Sequence, residues 1–337
     1  MLKQQANEPA ADRRMTIRDI IYDTNIRFIL SGGKGGVGKT SCAGAMAVLS
    51  ADQGLRTLVI STDPAHSLSD SFDQSLAGGD IIAVEGFKNL WGMEINTQKG
   101  MKEFQQSLGT AGSGPEMEMA TQLLGGVDGM SPPGSDEAMA FGKILEFIGD
   151  NSYDRVIFDT APTGHTLKLL ELPELLDSWL GKILTLKQRL GAMLSGVRAM
   201  FGTEGQEDNS WELLKQSKEK IRLARLELSD PQTTQFVVVM IPEAMALFET
   251  QRLLASLNNW HIPVSNLVVN QLVPPNPSCG FCDRRHKMQQ RNMEDIRDMY
   301  HDLDIIEVPL FEDEIRGVDG LRKLGMILIG NKEDDAP

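Results

Sequence analysis

The sequence predicts an α/β fold in which helices cover both faces of a parallel sheet. Seven short apolar runs are separated by helix-length segments, and most of them are rich in valine and isoleucine and lack strict alternation, which is typical of strands buried on both faces. The first run leads into Gly32-Gly33 and the fourth into Asp159, so we expect both turns at the carboxyl ends of the strands, where ligands of such sheets bind. The runs cover residues 27–30, 57–60, 90–95, 155–158, 236–241, 266–272 and 305–310.

Composition excludes several classes of protein. The 33 basic and 47 acidic residues leave a net charge of −14, which argues against a protein that binds nucleic acid through its phosphates. Three cysteines do not make a disulfide framework, so a reducing compartment is expected. The first residues lack the apolar core of a secretory signal, and no apolar run approaches the ~20 residues of a membrane span. We therefore expect a soluble, cytosolic protein with disordered ends at 1–14 and 331–337.

A glycine-rich run links the first strand to a predicted helix at 41–49 and fits the pattern G-x-x-x-x-G-K-[ST]. Glycines allow consecutive N–H groups to face an anion, and the helix that follows adds its positive end. Lys39 is expected at the β- and γ-phosphates and Thr40 at Mg²⁺. The run therefore predicts ATP or GTP binding. Its residues are Gly33, Lys34, Gly35, Gly36, Val37, Gly38, Lys39 and Thr40, and Ser41 follows as a further member of the predicted site.

Two acids follow the ends of other predicted strands. Asp63 is well placed to orient or deprotonate an attacking water, although in isolation a turn or a helix N-cap is the more ordinary use of such a residue. Asp159 is expected to hold Mg²⁺, directly or through water. The small residues at 160–166 would let the next turn follow the γ-phosphate and move when it leaves.

Four sequence blocks resemble the ArsA/Get3 family of ATPases. They are GGKGGVGKT at 32–40, STDPAHSLSD at 61–70, FDTAPTGHTLK at 158–168 and VVNQL at 268–272, and FETQRL at 248–253 extends the resemblance. The resemblance implies a P-loop NTPase with a deviant Walker A motif, of the SIMIBI type, in a single domain over 15–330. It also implies Mg²⁺-dependent hydrolysis of ATP to ADP and phosphate by a homodimer.

The resemblance also implies roles for individual residues. Lys34 matches the lysine that reaches the partner's nucleotide, and Asp63 matches the aspartate that positions the water, so both join Lys39 as expected catalytic residues. Asn270 matches the asparagine that binds the adenine edge, and Glu243 and Pro309 match further nucleotide contacts. Ser67 departs from the asparagine usual in the family, which removes the longer side chain from that position.

Cys279 and Cys282 form a Cys-x-x-Cys pair. A structural zinc site takes four ligands, and the resemblance implies that two chains each contribute this pair and so join through zinc. His286 leaves open a three-ligand set within one chain, although the basic residues around it favour an exposed histidine. A redox pair without metal is the other alternative. Cys42, just after the glycine-rich run, is expected to be a small core residue.

Two glycine-rich segments, 100–142 and 181–209, interrupt the α/β pattern and carry apolar residues at helical spacing. Such stripes usually face a core, whereas the resemblance implies helical insertions that form a client-binding subdomain. Methionine suits a surface that accepts many apolar partners. The predicted groove contains Met117, Met119, Leu123, Leu124 and Met139 in the first segment and Ile183, Leu186, Leu190, Met193, Val197 and Met200 in the second.

Within the family, a single phosphate loop and few thiols favour the Get3 branch. We therefore expect an ATP-driven factor that binds the carboxyl-terminal membrane segment of tail-anchored proteins in a dimer groove. It would deliver them to receptor proteins at the endoplasmic reticulum membrane. The alternatives are a metalloid transport ATPase subunit, an iron–sulfur scaffold ATPase, a membrane-positioning ATPase of the MinD kind and a redox-gated holdase.

Overall fold

A computed structural model describes residues 15–62, 67–95, 146–160, 219 and 222–331. The described residues confirm the predicted α/β class: eight strands form one sheet in the order β3-β4-β2-β5-β1-β6-β7-β8. The strands are β1 (Phe28–Gly33), β2 (Thr57–Ser61), β3 (Ile82–Ala83), β4 (Leu90–Glu94), β5 (Arg155–Asp159), β6 (Thr234–Met240), β7 (Val264–Leu272) and β8 (Asp304–Pro309). The helices are α1 (Ile17–Tyr22), α2 (Lys39–Asp52), α3 (Ser67–Phe72), α4 (Ala244–Asn259), α5 (Gly280–Met299) and α6 (Gly317–Leu328), and residues 222–229 are also helical.

All seven predicted strands are present and pair in parallel, with bounds that differ from the prediction by up to three residues. The eighth strand, β3, was not predicted. It has two residues and pairs antiparallel with β4 through Ile82 and Ala83. A strand of that length carries no periodicity that a sequence pattern could reveal.

Both faces of the sheet are buried, which explains why the strands do not alternate between apolar and polar residues. Phe28 and Leu30 of β1 face one apolar cluster, which α4 and α5 complete. Ile29, between them, faces the other cluster, which α1, α2 and α6 complete. Successive side chains of a strand point to opposite faces, so a strand covered on both sides is apolar throughout.

Helix α2 is held between the sheet and α6. The predicted helix at 41–49 is confirmed and extends from Lys39 to Asp52. Its small residues allow close packing, because a Cβ at Gly44 would lie 3.2 Å from the side chain of Leu321 on α6. The fixed position of α2 in turn fixes the turn that precedes it, between β1 and α2.

The buried guanidinium of Arg155 joins the start of β5 to the end of α1. It donates to the carbonyl oxygens of Ile26 at 3.0 Å, Ile21 at 2.9 Å and Asp23 at 2.6 Å. Burial lowers the pKa of Arg155 to about 10, so the group keeps its charge at neutral pH. The carbonyls at the end of a short helix therefore receive donors that the helix itself cannot supply.

The predicted insertions at 100–142 and 181–209 and the end at 1–14 lie outside the described residues. Asn331 belongs to the described chain: its N–H donates to the carbonyl of Met326 at 2.9 Å, and its side-chain oxygen accepts from Arg18 at 3.3 Å. The rest of the predicted disordered end, 332–337, again lies outside the described part. In that part, no helix combines the length and the apolar character that a membrane crossing requires.

Candidate nucleotide-binding site

The glycine-rich loop lies between β1 and α2, at the carboxyl edge of the central strands. Gly38, the residue before α2, has φ of 93°, a conformation that residues with a Cβ rarely adopt. A Cβ at this position would also collide with Nδ2 of Asn270, and one at Gly33 would collide with the carbonyl oxygen of Val239. Gly38 is therefore required by its backbone conformation and by its contact with Asn270, and Gly33 is required by its packing against the backbone of Val239.

Two lysines of the loop differ in their surroundings. Lys39 is buried, with 5% of its surface exposed, and its Nζ donates to the carbonyl oxygen of Lys34 at 3.1 Å. Its charge therefore stays over the loop, where an anion would pair with it. Lys34 is half-exposed, and its Nζ lies 3.7 Å from Oε1 of Glu249 on α4. Lys34, which matches the lysine that reaches the partner's nucleotide in the family, is thus near a carboxylate of its own chain.

A cluster of hydroxyl groups surrounds the carboxylate of Asp159. Thr40 donates to Oδ2 of Asp159 at 2.7 Å, and Ser61 donates to the same oxygen at 3.0 Å. The hydroxyl of Ser67 lies 3.2 Å from that of Thr40. The structure therefore brings together Thr40 and Asp159, as the sequence predicts, and adds two serines that the sequence did not identify as members of the site.

The chemistry of this cluster fits Mg²⁺. Asp159 is fully buried at the end of β5, and a buried carboxylate requires donors or a cation to offset its lost hydration. Mg²⁺ prefers carboxylate and hydroxyl oxygens and keeps several of its waters. Thr40 and Asp159 are the residues of this chain that would hold the ion.

Asn270 and Gln271, at the end of β7, contact the glycine-rich loop from the side. Nδ2 of Asn270 donates to the carbonyl of Val37 at 2.9 Å, and Nε2 of Gln271 is 3.3 Å from the carbonyl of Gly36. The oxygen of the Asn270 amide accepts the N–H of Gln271 at 2.8 Å. Asn270 thus lies beside the loop, and its adenine contact stays a prediction. Gln271 was not identified from the sequence, although it belongs to the VVNQL block.

The other predicted nucleotide contacts lie at the same edge of the sheet. Glu243 follows β6, is the N-cap residue of α4 and pairs with Arg285 at 2.8 Å. Pro309 is exposed and ends β8. Ser41 lies in the first turn of α2. Their contacts with a nucleotide stay predictions.

Cys279 and Cys282 begin helix α5. Sγ of Cys279 accepts the backbone N–H of Cys282 at 3.4 Å, and this bond lowers the pKa of the Cys279 thiol. A hydrogen bond with Cys279 raises the pKa of Cys282. Both side chains are partly exposed. Cys42 is buried, as predicted, and burial raises the pKa of its thiol to about 12.

His286 differs from the expected exposed histidine. It is partly buried, and its Nδ1 lies 2.8 Å from the carbonyl oxygen of Val273. Within the described ranges, no three His, Cys, Asp or Glu side chains form a group that could hold a metal ion. His286 is instead placed to fix the segment after β7.

The remaining predicted site residues are not covered by the structure. Asp63, the 161–166 turn and the whole predicted client groove lie outside the described residues. The groove residues concerned are Met117, Met119, Leu123, Leu124, Met139, Ile183, Leu186, Leu190, Met193, Val197 and Met200.

Comparison with known proteins gives a consistent result across nearly the whole chain. The family described as anion-transporting ATPase matches residues 26–330. The Arabidopsis thaliana protein named ATPase GET3B is 43% identical in an alignment of 330 residues that covers 92% of this chain and 80% of that protein. The Paramecium tetraurelia protein named ATPase ASNA1 homolog 2 is 36% identical over 94% of this chain and 98% of its own length. The Pyrenophora tritici-repentis protein named ATPase get3 is 38% identical over 95% and 96%, respectively.

Proposed function

The chain belongs to the anion-transporting ATPase family, and from this membership we propose that it delivers tail-anchored proteins to a membrane at the expense of ATP. It is an ATPase of the type named GET3 or ASNA1 in its relatives. The observation that carries the proposal is the 43% identity with a GET3-named protein over 330 residues. The assembled phosphate loop, with Thr40 and Asp159 in contact, supports it.

Nucleotide binding uses groups at the carboxyl edge of the sheet. The N–H groups of the loop and the ammonium of Lys39 bind the phosphates, and Thr40 and Asp159 hold Mg²⁺, which neutralises phosphate charge when bound. Asn270, Glu243 and Pro309 contact the nucleoside. Each of these groups lies near or just beyond the carboxyl end of a parallel strand, as is usual for groups that bind ligands in such sheets.

Hydrolysis requires a water in line with the γ-phosphate. Asp63 orients this water and accepts its proton, and Lys34 leaves Glu249 to reach the nucleotide of the partner subunit. When the γ-phosphate leaves, Asp159 and the turn after it lose their contact with the nucleotide, and the dimer opens. This is a switch between two states that the terminal phosphate controls.

Dimer formation involves the cysteine pair. Two thiolates are half of a four-ligand zinc site, and a second chain supplies the other two. The partial exposure of both thiols suits metal binding between chains. One zinc ion for every two chains is the expected stoichiometry, and replacement of Cys279 with serine should abolish it.

The client site is a separate part of the proposal. In a single ATPase domain over 15–330, the insertions 100–142 and 181–209 form a helical subdomain whose apolar faces join across the dimer. A membrane anchor of ~20 apolar residues needs such a large trough to be shielded from water. The protein works in the cytosol and meets receptor proteins at the endoplasmic reticulum membrane.

Metalloid transport is the alternative that the cysteines disfavour. A trivalent metalloid requires several soft thiolate ligands. The chain has three cysteines, and burial raises the pKa of Cys42 to about 12, so this thiol stays protonated. Two thiols remain. Antimonite-stimulated hydrolysis would reverse this preference.

The proposed function is tested by co-expression with a protein that carries a carboxyl-terminal membrane anchor. The wild-type chain should yield a soluble complex, and aspartate at Met193 and Met200 should abolish it. The matched control places aspartate at Met245 and Met288, which are exposed methionines outside the proposed groove. An unchanged complex with the first double variant, or its loss with both, would remove the groove from the proposal.

A further inference from the structure

Gln289, a glutamine on α5 with 2% of its surface exposed, uses both ends of its amide on the segment after β7. Its Nε2 donates to the carbonyl of Gln271 at 3.0 Å, and its Oε1 accepts the N–H of Val273 at 2.7 Å. One helical turn earlier, Nδ1 of His286 lies 2.8 Å from the carbonyl oxygen of Val273. Helix α5 therefore fixes this segment by three hydrogen bonds.

The same segment contacts the phosphate loop on its other side. Asn270 and Gln271 direct their amide nitrogens at two successive carbonyls of the loop, those of Val37 and Gly36. In a trans peptide unit the carbonyl and the N–H point in opposite directions. Bonds to these two carbonyls therefore orient the N–H groups of Val37 and Gly38, which belong to the same peptide units.

The backbone of Gln271 is in an unusual conformation, with φ of 59°. Residues with a Cβ adopt this left-handed region only when their surroundings hold them there. The pairing of β7 with β8 is also irregular between Val269 and Leu272. Gln289 binds the carbonyl of Gln271, inside this irregular stretch, and the N–H of Val273, directly after it. These two bonds hold the backbone of Gln271 and so determine where its side chain points.

We propose that Gln289 is a positioning residue for nucleotide binding, which acts through Asn270 and Gln271 on the N–H groups of the phosphate loop. Without Gln289 the segment relaxes, the loop carbonyls lose their donors, and the loop N–H groups no longer face the phosphates in the unliganded protein. The proposal depends on the ATPase activity of the family and is independent of the client.

The test compares leucine at Gln289 with leucine at Gln235 in the full-length chain. Gln235 is also 2% exposed and also uses both amide ends, donating to the carbonyl of Pro231 at 2.9 Å and accepting from Ser265 at 3.1 Å. It lies near the amino end of β6, at the edge opposite the loop. Both substitutions bury an apolar side chain in place of an amide, so a purely structural effect is common to both.

Titration with fluorescent ADP is the measurement. We expect Gln289→Leu to weaken binding by about ten-fold, as loss of buried hydrogen bonds predicts, and Gln235→Leu to change it by less than about two-fold. In steady-state kinetics the KM for ATP should rise while kcat at saturation changes by less than about three-fold. Equal affinity losses in the two variants, or no loss in a folded Gln289→Leu, would overturn the proposal.

Gln271→Ala tests the same proposal at the residue that contacts the loop, where the side chain is only partly buried. This variant should show the same loss of ADP affinity. The double variant should bind ADP no more than about two-fold more weakly than the weaker-binding of the two single variants, because both substitutions disrupt the same set of contacts between α5 and the loop. If Gln289→Leu does not fold, Gln271→Ala decides. Wild-type affinity in that variant would overturn the proposal.

Discussion

The hydroxyl of Thr40 donates a 2.7 Å hydrogen bond to Oδ2 of Asp159 and so connects the end of the phosphate loop to the end of β5. The two residues are 119 positions apart in sequence. The carboxylate is fully buried, so its charge has a large electrostatic effect on anything bound beside it. A substitution that removes this charge and keeps the shape of the side chain therefore tests the role of the carboxylate.

Asp159→Asn should preserve the shape of the site and remove its charge. We expect Mg²⁺-dependent ATP hydrolysis to fall by on the order of 100-fold, because the variant loses a metal-binding carboxylate. Affinity for fluorescent ADP without Mg²⁺ should stay within about three-fold, since the loop N–H groups are unchanged. Asp154→Asn is the control: this exposed carboxylate precedes β5 at its opposite end and pairs with Arg56. Equal losses in the two variants would contradict the assignment.

Alanine at Gly38 should damage nucleotide binding, whereas alanine at Gly54 should not. Both glycines have left-handed backbones, with φ of 93° and 87°, so each substitution carries a strain of about 1–2 kcal/mol. At Gly54 the new Cβ meets open space, but at Gly38 it collides with Asn270. We expect similar losses of unfolding free energy from strain and at least about ten-fold weaker ADP binding in Gly38→Ala alone. Similar ADP affinities in the two folded variants would contradict the prediction.

The sequence predicts the fold well because burial on both faces of the sheet leaves a local mark. Continuous apolar strands and the small residues of α2 show in short windows, whereas β3 has two residues and shows in none. The antiparallel pairing of β3 with β4 depends on the finished sheet edge. Local patterns therefore identified seven strands and could not identify the eighth.

The residues of the site also divide into those that a local pattern identifies and those that it does not. Thr40 was found because it ends the G-x-x-x-x-G-K-[ST] run, and Asp159 because it directly follows a continuous apolar run. Three further members of the site contact segments that are distant in sequence, and the residues around them do not indicate these contacts. They are Ser61, Ser67 and Gln271. His286 was expected to be exposed because its neighbours are basic, but its ring reaches a carbonyl beyond the helix surface. These contacts follow from packing and not from any local pattern.

The three thiols should react with iodoacetamide in a fixed order. Hydrogen bonding from Cys282 lowers the pKa of Cys279, so Cys279 has the larger thiolate fraction at any pH below its titration and should react first. The raised pKa of Cys282 makes it slower, and burial should keep Cys42 unlabelled in the native state. Peptide mass spectrometry across pH 7–9 measures the order, with urea-unfolded protein as the control.

Cys282→Ser sharpens this prediction. The backbone N–H of residue 282 remains, and it is the largest cause of the lowered pKa of Cys279. The alkylation rate of Cys279 should therefore still rise at lower pH than that of an unperturbed thiol. Native labelling of Cys42 as fast as that of Cys279 would show that the packing around α2 differs from the structure.

Arg155→Met should lower the free energy of unfolding by about 3–5 kcal/mol, because it leaves the carbonyls of Ile21, Asp23 and Ile26 without their donor and each unsatisfied buried acceptor costs about 1–3 kcal/mol. Arg56→Met removes an exposed guanidinium paired with Asp154 at 2.7 Å and should lower the free energy of unfolding far less, because water solvates an exposed ion pair. Urea unfolding measures both changes.

The stability difference between wild type and Arg155→Met should not vary with pH between pH 6 and 8. The pKa of Arg155, about 10, keeps this group protonated in the folded protein throughout that range. Arg155 begins β5 and Asp159 ends it, so folded Arg155→Met should bind ADP like the wild type. A weakened ADP affinity with unchanged stability would mean that Arg155 serves the site and not the join between α1 and the sheet.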